Sequence, residues 1–401
     1  MASTTLSNLI TRMDRYQSLA AIDEVYKVND IDEAIRDMKR SHNLPFLQRK
    51  TTLRVFPDVF LYPVVADHDY LIFLDTNDAT VNYGERMRMR YTSLQQFYED
   101  LDYRNTVAEI WDGNTLTIGV RDKSVPPGFL SGSQLVDSAE SVSDYTAEVD
   151  ASALTLDTVL FTGDSSSSVR FTNTNSTNVA RVSWSFDAIT DANYQRKYFF
   201  LWVYLSAAPT SITLRFGADS LNYLSAAQTT QFSGQAFKAN DWNLVAMDLN
   251  TATATGTIST STSFDYAAVQ LNSAATGSYN IDASYLRGWA LLDYWYVSKY
   301  IVATSNTATP TKESFISQSL GTYTTSDVLI GDYEWADLVM YRAMQRSLAD
   351  KENDSLKADV EKWLEEANSK LAAIYPDPKP LQITQKYRFN TDFSDQGYLS
   401  G

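Results

Sequence analysis

The chain has 401 residues, 44% hydrophobic and 20% charged, an ordinary globular balance with length for two or three domains. Its net charge of −16 argues against a protein built to grip nucleic-acid phosphates. The absence of cysteine excludes disulfides, thiolate metal sites and cysteine nucleophiles, and no apolar run approaches the roughly 20 residues of a membrane span.

Residues 3–16 predict a short helix with Leu6, Leu9, Ile10 and Met13 on one face. Val28-Asn29-Asp30 reads as a turn. Asp30 and Glu33 bracket the start of a second helix, carried on by Ile31, Ala34, Ile35 and Met38 and stopped at Asn43-Leu44-Pro45. From Thr51 to Thr76 the pattern changes to short strands punctuated by Pro57 and Pro63. Residues 93–101 have room for a helical turn or two. Glu109-Ile110-Trp111 and Thr115–Val120 flank Asp112-Gly113-Asn114, a hairpin signal.

At Ser124-Val125-Pro126-Pro127-Gly128 the composition shifts. From about 129 to 304 Ser, Thr, Ala and Asn dominate and helical periodicity disappears. Strand candidates then come regularly: 169–171, 181–186, 198–205, 211–216, 242–249, 266–271 and 289–297. Arg181–Phe186 and Ser211–Phe216 alternate cleanly, and many short strands with polar turns predict an antiparallel sandwich. The Ala- and Thr-rich piece at 251–262 reads as a loop, and Thr304–Lys312 as a linker.

Two striped helices follow. Asp332 caps the first, with Leu338, Tyr341, Met344 and Leu348 on its stripe. Asp354 or Ser355 caps the second, with Leu356, Val360, Trp363, Ala367, Leu371 and Ile374. Joined by a short polar turn, they are expected to pack antiparallel, and their wide stripes need the N-terminal helices as cover. Tyr375-Pro376-Asp377-Pro378 ends helical structure, and Tyr387, Phe389, Phe393 and Tyr398 favour a tail pinned by a partner.

The fold class expected from this pattern is α+β: a helical bundle from the two chain ends with a large inserted antiparallel β-sandwich. The divisions are 1–50, 51–123, 124–311, 312–375 and a tail, 376–401.

Catalytic signals are sparse. Neither histidine, His42 or His68, sits in a metal or nucleophile motif, and Asp67-His68-Asp69 reads as a solvated loop. Thr162-Gly163-Asp164-Ser165-Ser166 has a hydrolase-like look, but no histidine follows it. The pairs Asp23-Glu24 and Asp32-Glu33 read as helix caps and surface charge. No enzyme activity and no cofactor are expected. Trp184, Trp202, Trp242, Trp289 and Trp295 form either a sugar-stacking platform or core, and alternation favours core for most. Asp187, Asp191 and Asp219 offer calcium no ligand spacing. Arg86-Met87-Arg88-Met89-Arg90 would set Arg86, Arg88 and Arg90 on one strand face, toward an acidic subunit, a DNA backbone or solvent.

The run Trp335–Ala343, with Leu348–Asp354 and Leu356–Leu371, resembles the helical hairpin of head–tail connector (adaptor) proteins of tailed bacteriophages. Phe199–Leu205, Ile212–Gly217 and Trp242–Val245 are similar to jelly-roll modules of the carbohydrate-binding type found in phage virion proteins. The first resemblance implies a virion protein, assembled in the host cytoplasm. It would form a homo-oligomeric ring, commonly a dodecamer, between the portal protein and the tail or neck proteins, with no membrane partner. DNA would pass through without specific binding, eased by an acidic channel wall. On this picture Arg86, Arg88, Arg90, Tyr387, Phe389 and Phe393 are the interaction residues. The second resemblance implies the alternative, a glycan- or receptor-binding virion protein acting through its sandwich.

Overall fold

The computed structural model describes residues 3–41, 44–56, 59–76, 90–91, 93, 106–112, 115–121, 133–162, 165–175, 179–304, 309–316 and 324–375. Its helices are α1 (Leu6–Met13), α2 (Gln17–Ala20), α3 (Glu24–Ser41), α4 (Tyr333–Ser347) and α5 (Asp354–Ile374). Its first strands are β1 (Ser3–Thr5), β2 (Gln48–Val55), β3 (Leu61–Pro63), β4 (His68–Thr76), β5 (Arg90–Tyr91), β6 (Thr106–Asp112) and β7 (Thr115–Arg121). Then come β8 (Ser133–Asp137), β9 (Tyr145–Glu148), β10 (Ala151–Asp157), β11 (Ser168–Asn173), β12 (Ala180–Thr190), β13 (Lys197–Leu205), β14 (Ser211–Gly217) and β15 (Tyr223–Gln228). The last are β16 (Asp241–Asp248), β17 (Thr253–Thr255), β18 (Ser263–Asn272), β19 (Gly277–Gly288), β20 (Ala290–Ser298), β21 (Val302–Ala303) and β22 (Val328–Ile330).

Strand is the main regular structure. The chain divides into two units. One holds Met1–Arg49, Asp67–Tyr70 and Tyr296–Gly401; the other holds Lys50–Ala66 and Leu71–Trp295.

The second unit contains the antiparallel β-sandwich. Its first sheet runs β10-β11-β19-β13-β16, with β8 also on β19, and its second runs β17-β15-β14-β18-β12-β9. Alternation explains the packing: side chains one apart on a strand point to opposite faces. From the first sheet Val169, Phe171, Phe199, Leu201, Val203, Val245, Met247 and Ile281 turn inward. They meet Val182, Trp184, Ile212, Leu214, Phe216, Phe264 and Val269 of the second in one core. The stretch at 251–262 is not all loop, because Thr253–Thr255 add an edge strand to β15. The predicted hairpin forms too, β6 against β7, with Asp112 opposite Thr115.

Gly217 marks a close approach in the second sheet. A Cβ there would lie 2.2 Å from the Asn222 carbonyl oxygen and 2.5 Å from Tyr223 Cα, both backbone atoms that cannot swing aside. Gly217→Ala is expected to destabilise the sandwich by about 1–3 kcal/mol, the usual cost of overpacking, read as a lowered urea midpoint.

The first unit brings helices from both chain ends together. Arg12 of α1 pairs with Asp337 of α4 at 2.6 Å, and Arg346 of α4 pairs with Glu33 of α3 at 2.5 Å. Tyr16 lies 5.6 Å from Trp363 of α5. Residues 3–5 are not helical as predicted but form β1, which pairs with β22. The helix follows once the Thr5 hydroxyl accepts from Asn8 N–H at 3.1 Å. Helix α3 begins at Glu24 and not at Asp30, because the Asp23 carboxylate takes Val25 N–H at 3.0 Å. Asp30 and Asp32 are tertiary partners within the helix: Asp30 accepts from the Ser347 hydroxyl, and Asp32 accepts from Phe315 and Ile316 N–H at 2.9 and 3.0 Å. Asp332 caps α4 as expected, whereas Asn353, one residue before the predicted caps, caps the start of α5.

Two polar features lie deep in this unit. Lys312 and Asp327, 8% and 1% exposed, form an ion pair of 2.7 Å beside β21 and β22. His68 is buried, not solvated as the sequence suggested, and its ring lies 5.9 Å from that of Tyr296. Its neighbours are spent on protein partners: Asp67 accepts from the Tyr296 and Ser298 hydroxyls, and Asp69 pairs with Lys39.

Candidate functional site

The site grows from β13. Phe199, Leu201, Val203 and Leu205 enter the sandwich core, so Tyr198, Phe200, Trp202 and Tyr204 must stand on the outer face of the first sheet. At one end this face is covered. Phe56 lies 4.7 Å from Tyr198 and 5.0 Å from Phe200, and Phe232 lies 5.1 Å from Phe200. Arg54 donates to the Tyr198 hydroxyl and to Asp248, each at 2.8 Å, and lies over the Trp289 ring at 4.9 Å.

The other end carries a row of five side chains, one from each strand. Tyr204 is directly opposite Trp242 on β16 and, on its other side, opposite Asn280 on β19. Asn280 is opposite Arg170 on β11, and Arg170 is opposite Thr155 on β10. Four strand spacings make the row about 19 Å long. Tyr204 and Trp242 meet edge to face at 5.7 Å and are half-buried, Asn280 between the two halves is buried, and Arg170 and Thr155 are exposed. Such rings offer apolar faces to stack on, with polar edges that stay wet.

Beside the polar half, on the same sheet face, lies a set of fixed hydrogen bonds. Asn280 Nδ2 donates to Asp157 Oδ2 at 3.1 Å and to Ser168 Oγ at 2.8 Å. Asp157 Oδ1 accepts from Val159 and Leu160 N–H at 3.0 and 3.1 Å. Burial alone would raise the Asp157 pKa. The two backbone donors, then Asn280 and the Arg170 charge, outweigh it and hold the carboxyl below its usual range. Asp282, fully buried, accepts from Thr162 N–H and the Ser165 hydroxyl, each at 2.5 Å. These anchors fix the backbone after β10 and present Val159, 83% exposed, with Leu160 and Phe161 beside it.

The sequence candidates divide. Trp184 is core, stacked on Tyr145 at 5.4 Å. Trp295 stacks on Phe73 at 5.6 Å, and Trp289 lies under Arg54. Of the five tryptophans proposed as a platform, Trp202 and Trp242 stand at the open end of this face, with Trp202 opposite Leu244. Asp191 pairs with Lys197 at 2.5 Å, and Asp219 accepts from Leu221 and Asn222 N–H, so both shape turns. Among the described residues no His, Cys, Asp and Glu group is arranged to hold a metal ion. His68 belongs to the other unit from Ser165, and His42 lies outside the described residues. Arg90 lies in β5, parallel to β6 opposite Thr106. Arg86, Arg88, Tyr387, Phe389 and Phe393 lie outside the described residues.

Sequence reasoning missed Tyr204, Asn280, Arg170 and Thr155. One signal was present: in 198–205 both alternating sets are apolar or aromatic, which marks a strand whose second face also has work beyond solubility.

No family model matches the chain, and no curated protein matches it. Solved structures give partial likenesses in fold. The family 11 carbohydrate-binding module of Clostridium thermocellum, in complex with a beta-1,3-1,4-mixed-linked tetrasaccharide, is 12% identical with a TM-score of 0.30, over 39% of this chain and 96% of that one. The family 30 carbohydrate-binding module of a cellulosomal cellulase of the same organism is 9% identical with a TM-score of 0.31, over 39% of this chain and 96% of that one. The enzymatically active domain of tailspike protein 4 of bacteriophage CBA120 is 14% identical with a TM-score of 0.25, over 37% of this chain and 20% of that one. Likenesses of this size carry no inference about what the chain binds.

Proposed function

We propose that this chain is a glycan-binding virion protein that takes a saccharide on the open end of its first sandwich sheet and acts by binding, without catalysis. The observation that carries this reading is the cross-strand row Trp242–Tyr204–Asn280–Arg170–Thr155. Aromatic faces at one end suit the C–H face of a pyranose ring, and the exposed guanidinium of Arg170 and hydroxyl of Thr155 at the other suit its hydroxyls, with the buried Asn280 as a brace between them. The buried hydrogen bonds of Asn280 to Asp157 and Ser168 hold the polar half in place before ligand arrives, which lowers the ordering cost of binding.

A glycan array of the full chain tests the reading, followed by titration of the best ligand. Trp242→Ala is expected to weaken binding about 30-fold, the size of losing roughly 2 kcal/mol at an aromatic anchor. Trp111→Ala, which removes a 66% exposed tryptophan on β6, is expected to leave it unchanged. An array without reproducible binding discards the proposal.

A second reading is the head–tail connector: a homo-oligomeric ring joining the portal protein to tail or neck proteins around the DNA channel. One observation favours it, the packing of α1 and α3 from the start of the chain with α4 from its end within one unit. The bundle expected from the two ends would then be the ring wall. Light scattering alone and with portal protein separates the readings, since a monomer that never joins the portal removes the connector.

A further inference from the structure

Resting on the glycan reading, we propose that the saccharide is acidic and extended: it stacks one ring on Tyr204 and Trp242 and presents a carboxylate or sulfate to Arg170. Arg170 has no hydrogen-bonded carboxylate among the described residues. Its Nε donates to the Thr155 hydroxyl at 3.3 Å, which fixes the plane of the guanidinium. The nearest carboxylate, Asp157, is 3.7 Å from Nη1, beyond hydrogen-bond reach. Asp157 is also already occupied, by Val159 and Leu160 N–H on one oxygen and by Asn280 on the other. The side chain of Arg170 remains 47% exposed. A half-exposed guanidinium held in plane by Thr155, with Asp157 near but not hydrogen-bonded to it, is a fork that receives a carboxylate or sulfate by two parallel bonds.

The surroundings strengthen this. The pinned backbone at 159–161 sets exposed apolar side chains just after β10, the strand of Thr155, and these give an extended saccharide further surface to lie on. The chain as a whole is acidic, at −16, so a general attraction for polyanions is absent and any preference for acidic sugar must come from this position.

Register sets the length. Arg170 is two strand spacings from Tyr204 and three from Trp242, about 10 and 14 Å. One sugar ring does not reach from the stacking pair to the guanidinium. The ligand therefore lies across the strands and spans several units, with its acidic group away from the stacked ring.

The test is an array carrying neutral, uronic-acid-bearing, sialylated and sulfated saccharides, from single units to oligomers, with the full chain as analyte. The best acidic ligand is then titrated calorimetrically beside its neutral counterpart, carboxyl-reduced or desulfated. Acidic oligomers are expected to bind about 10–100-fold tighter than the neutral form, with acidic single units below detection. Arg170→Gln is expected to abolish that difference, bringing acidic and neutral forms to equal affinity, and Arg170→Lys to restore only part of it. Equal binding of neutral and acidic forms, or a preference that survives Arg170→Gln, overturns the inference; if Trp242→Ala still removes binding, the glycan reading stands. No binding to any saccharide overturns both.

Discussion

Replacing Asp327 with alanine is expected to destabilise the helical unit by about 3–5 kcal/mol, the cost of leaving one partner of a buried ion pair unpaired. Lys312 would keep its charge at 8% exposure with no carboxylate to meet it. The aspartate also accepts from Thr324 N–H and hydroxyl, and its own carbonyl takes Leu6 N–H at the start of α1. Hydrogen exchange is therefore expected to rise in β1, β22 and the first turn of α1, with the sandwich core unchanged. The double replacement Lys312→Met, Asp327→Leu is expected to recover most of the loss, because two apolar side chains leave no charge stranded. Thr324 is exposed and can turn to water.

The same pair gives a pH dependence. Burial pushes the Asp327 carboxyl up, but the hydrogen bonds from Lys312 and Thr324 outweigh it and hold the carboxyl below its ordinary value of 3.8. A carboxyl depressed in the folded state stabilises above its unfolded value. That contribution is lost as pH falls through the folded value. Thermal melts taken from neutral pH down to about 2 are expected to show a larger acid loss in the wild type than in Asp327→Asn, since other depressed carboxyls such as Asp157 remain in both.

Phe216→Ala is the comparable test for the sandwich, with an expected loss of about 3–5 kcal/mol. Phe216 is fully buried on β14 of the second sheet and lies 5.0 Å from Phe199 of the first. It also meets Phe264 at 5.0 Å and stacks on Phe186 at 5.6 Å. Its removal opens a cavity where the two sheets meet, in a core too densely packed to collapse into it. Calorimetry of the whole chain is expected to show the transition that contains the sandwich moving down. Near-ultraviolet circular dichroism, which reports on this ring cluster, should lose intensity first. Phe216→Leu, which keeps more of the volume, is expected to cost less.

How much of this was legible before the structure depends on the distance over which the signal acts. Alternation is local, and it marked Arg181–Phe186 and Ser211–Phe216, which became β12 and β14. Caps are local too: Asp332 was right, and Asn353 was missed by one residue because Asn, Asp and Ser in succession can all serve. The start of α3 was misjudged for a different reason. Asp30 and Glu33 have the chemistry of a helix start, but their acceptors are used by Ser347 and Arg346, more than 300 positions away. The functional row is the extreme case. Composition and alternation tell which face Tyr204 occupies, but not that Trp242 and Asn280 stand on either side of it. Nor do they show that Thr155 closes a line begun 87 residues later. Cross-strand register in a sandwich is set by the whole core and leaves no mark on any one segment.

The divided origin of the helical unit also sets an order of events on the ribosome. Helix α3 ends at Ser41 and its partner α4 begins at Tyr333, so its apolar stripe emerges 292 residues ahead of the surface that covers it. At about 5–20 residues per second that is a delay on the order of 15–60 s, during which the sandwich has been fully synthesised and can close. A nascent chain in this state presents Ile31, Ala34 and Ile35 to chaperones, and its last helices act as the latch that ends the exposure.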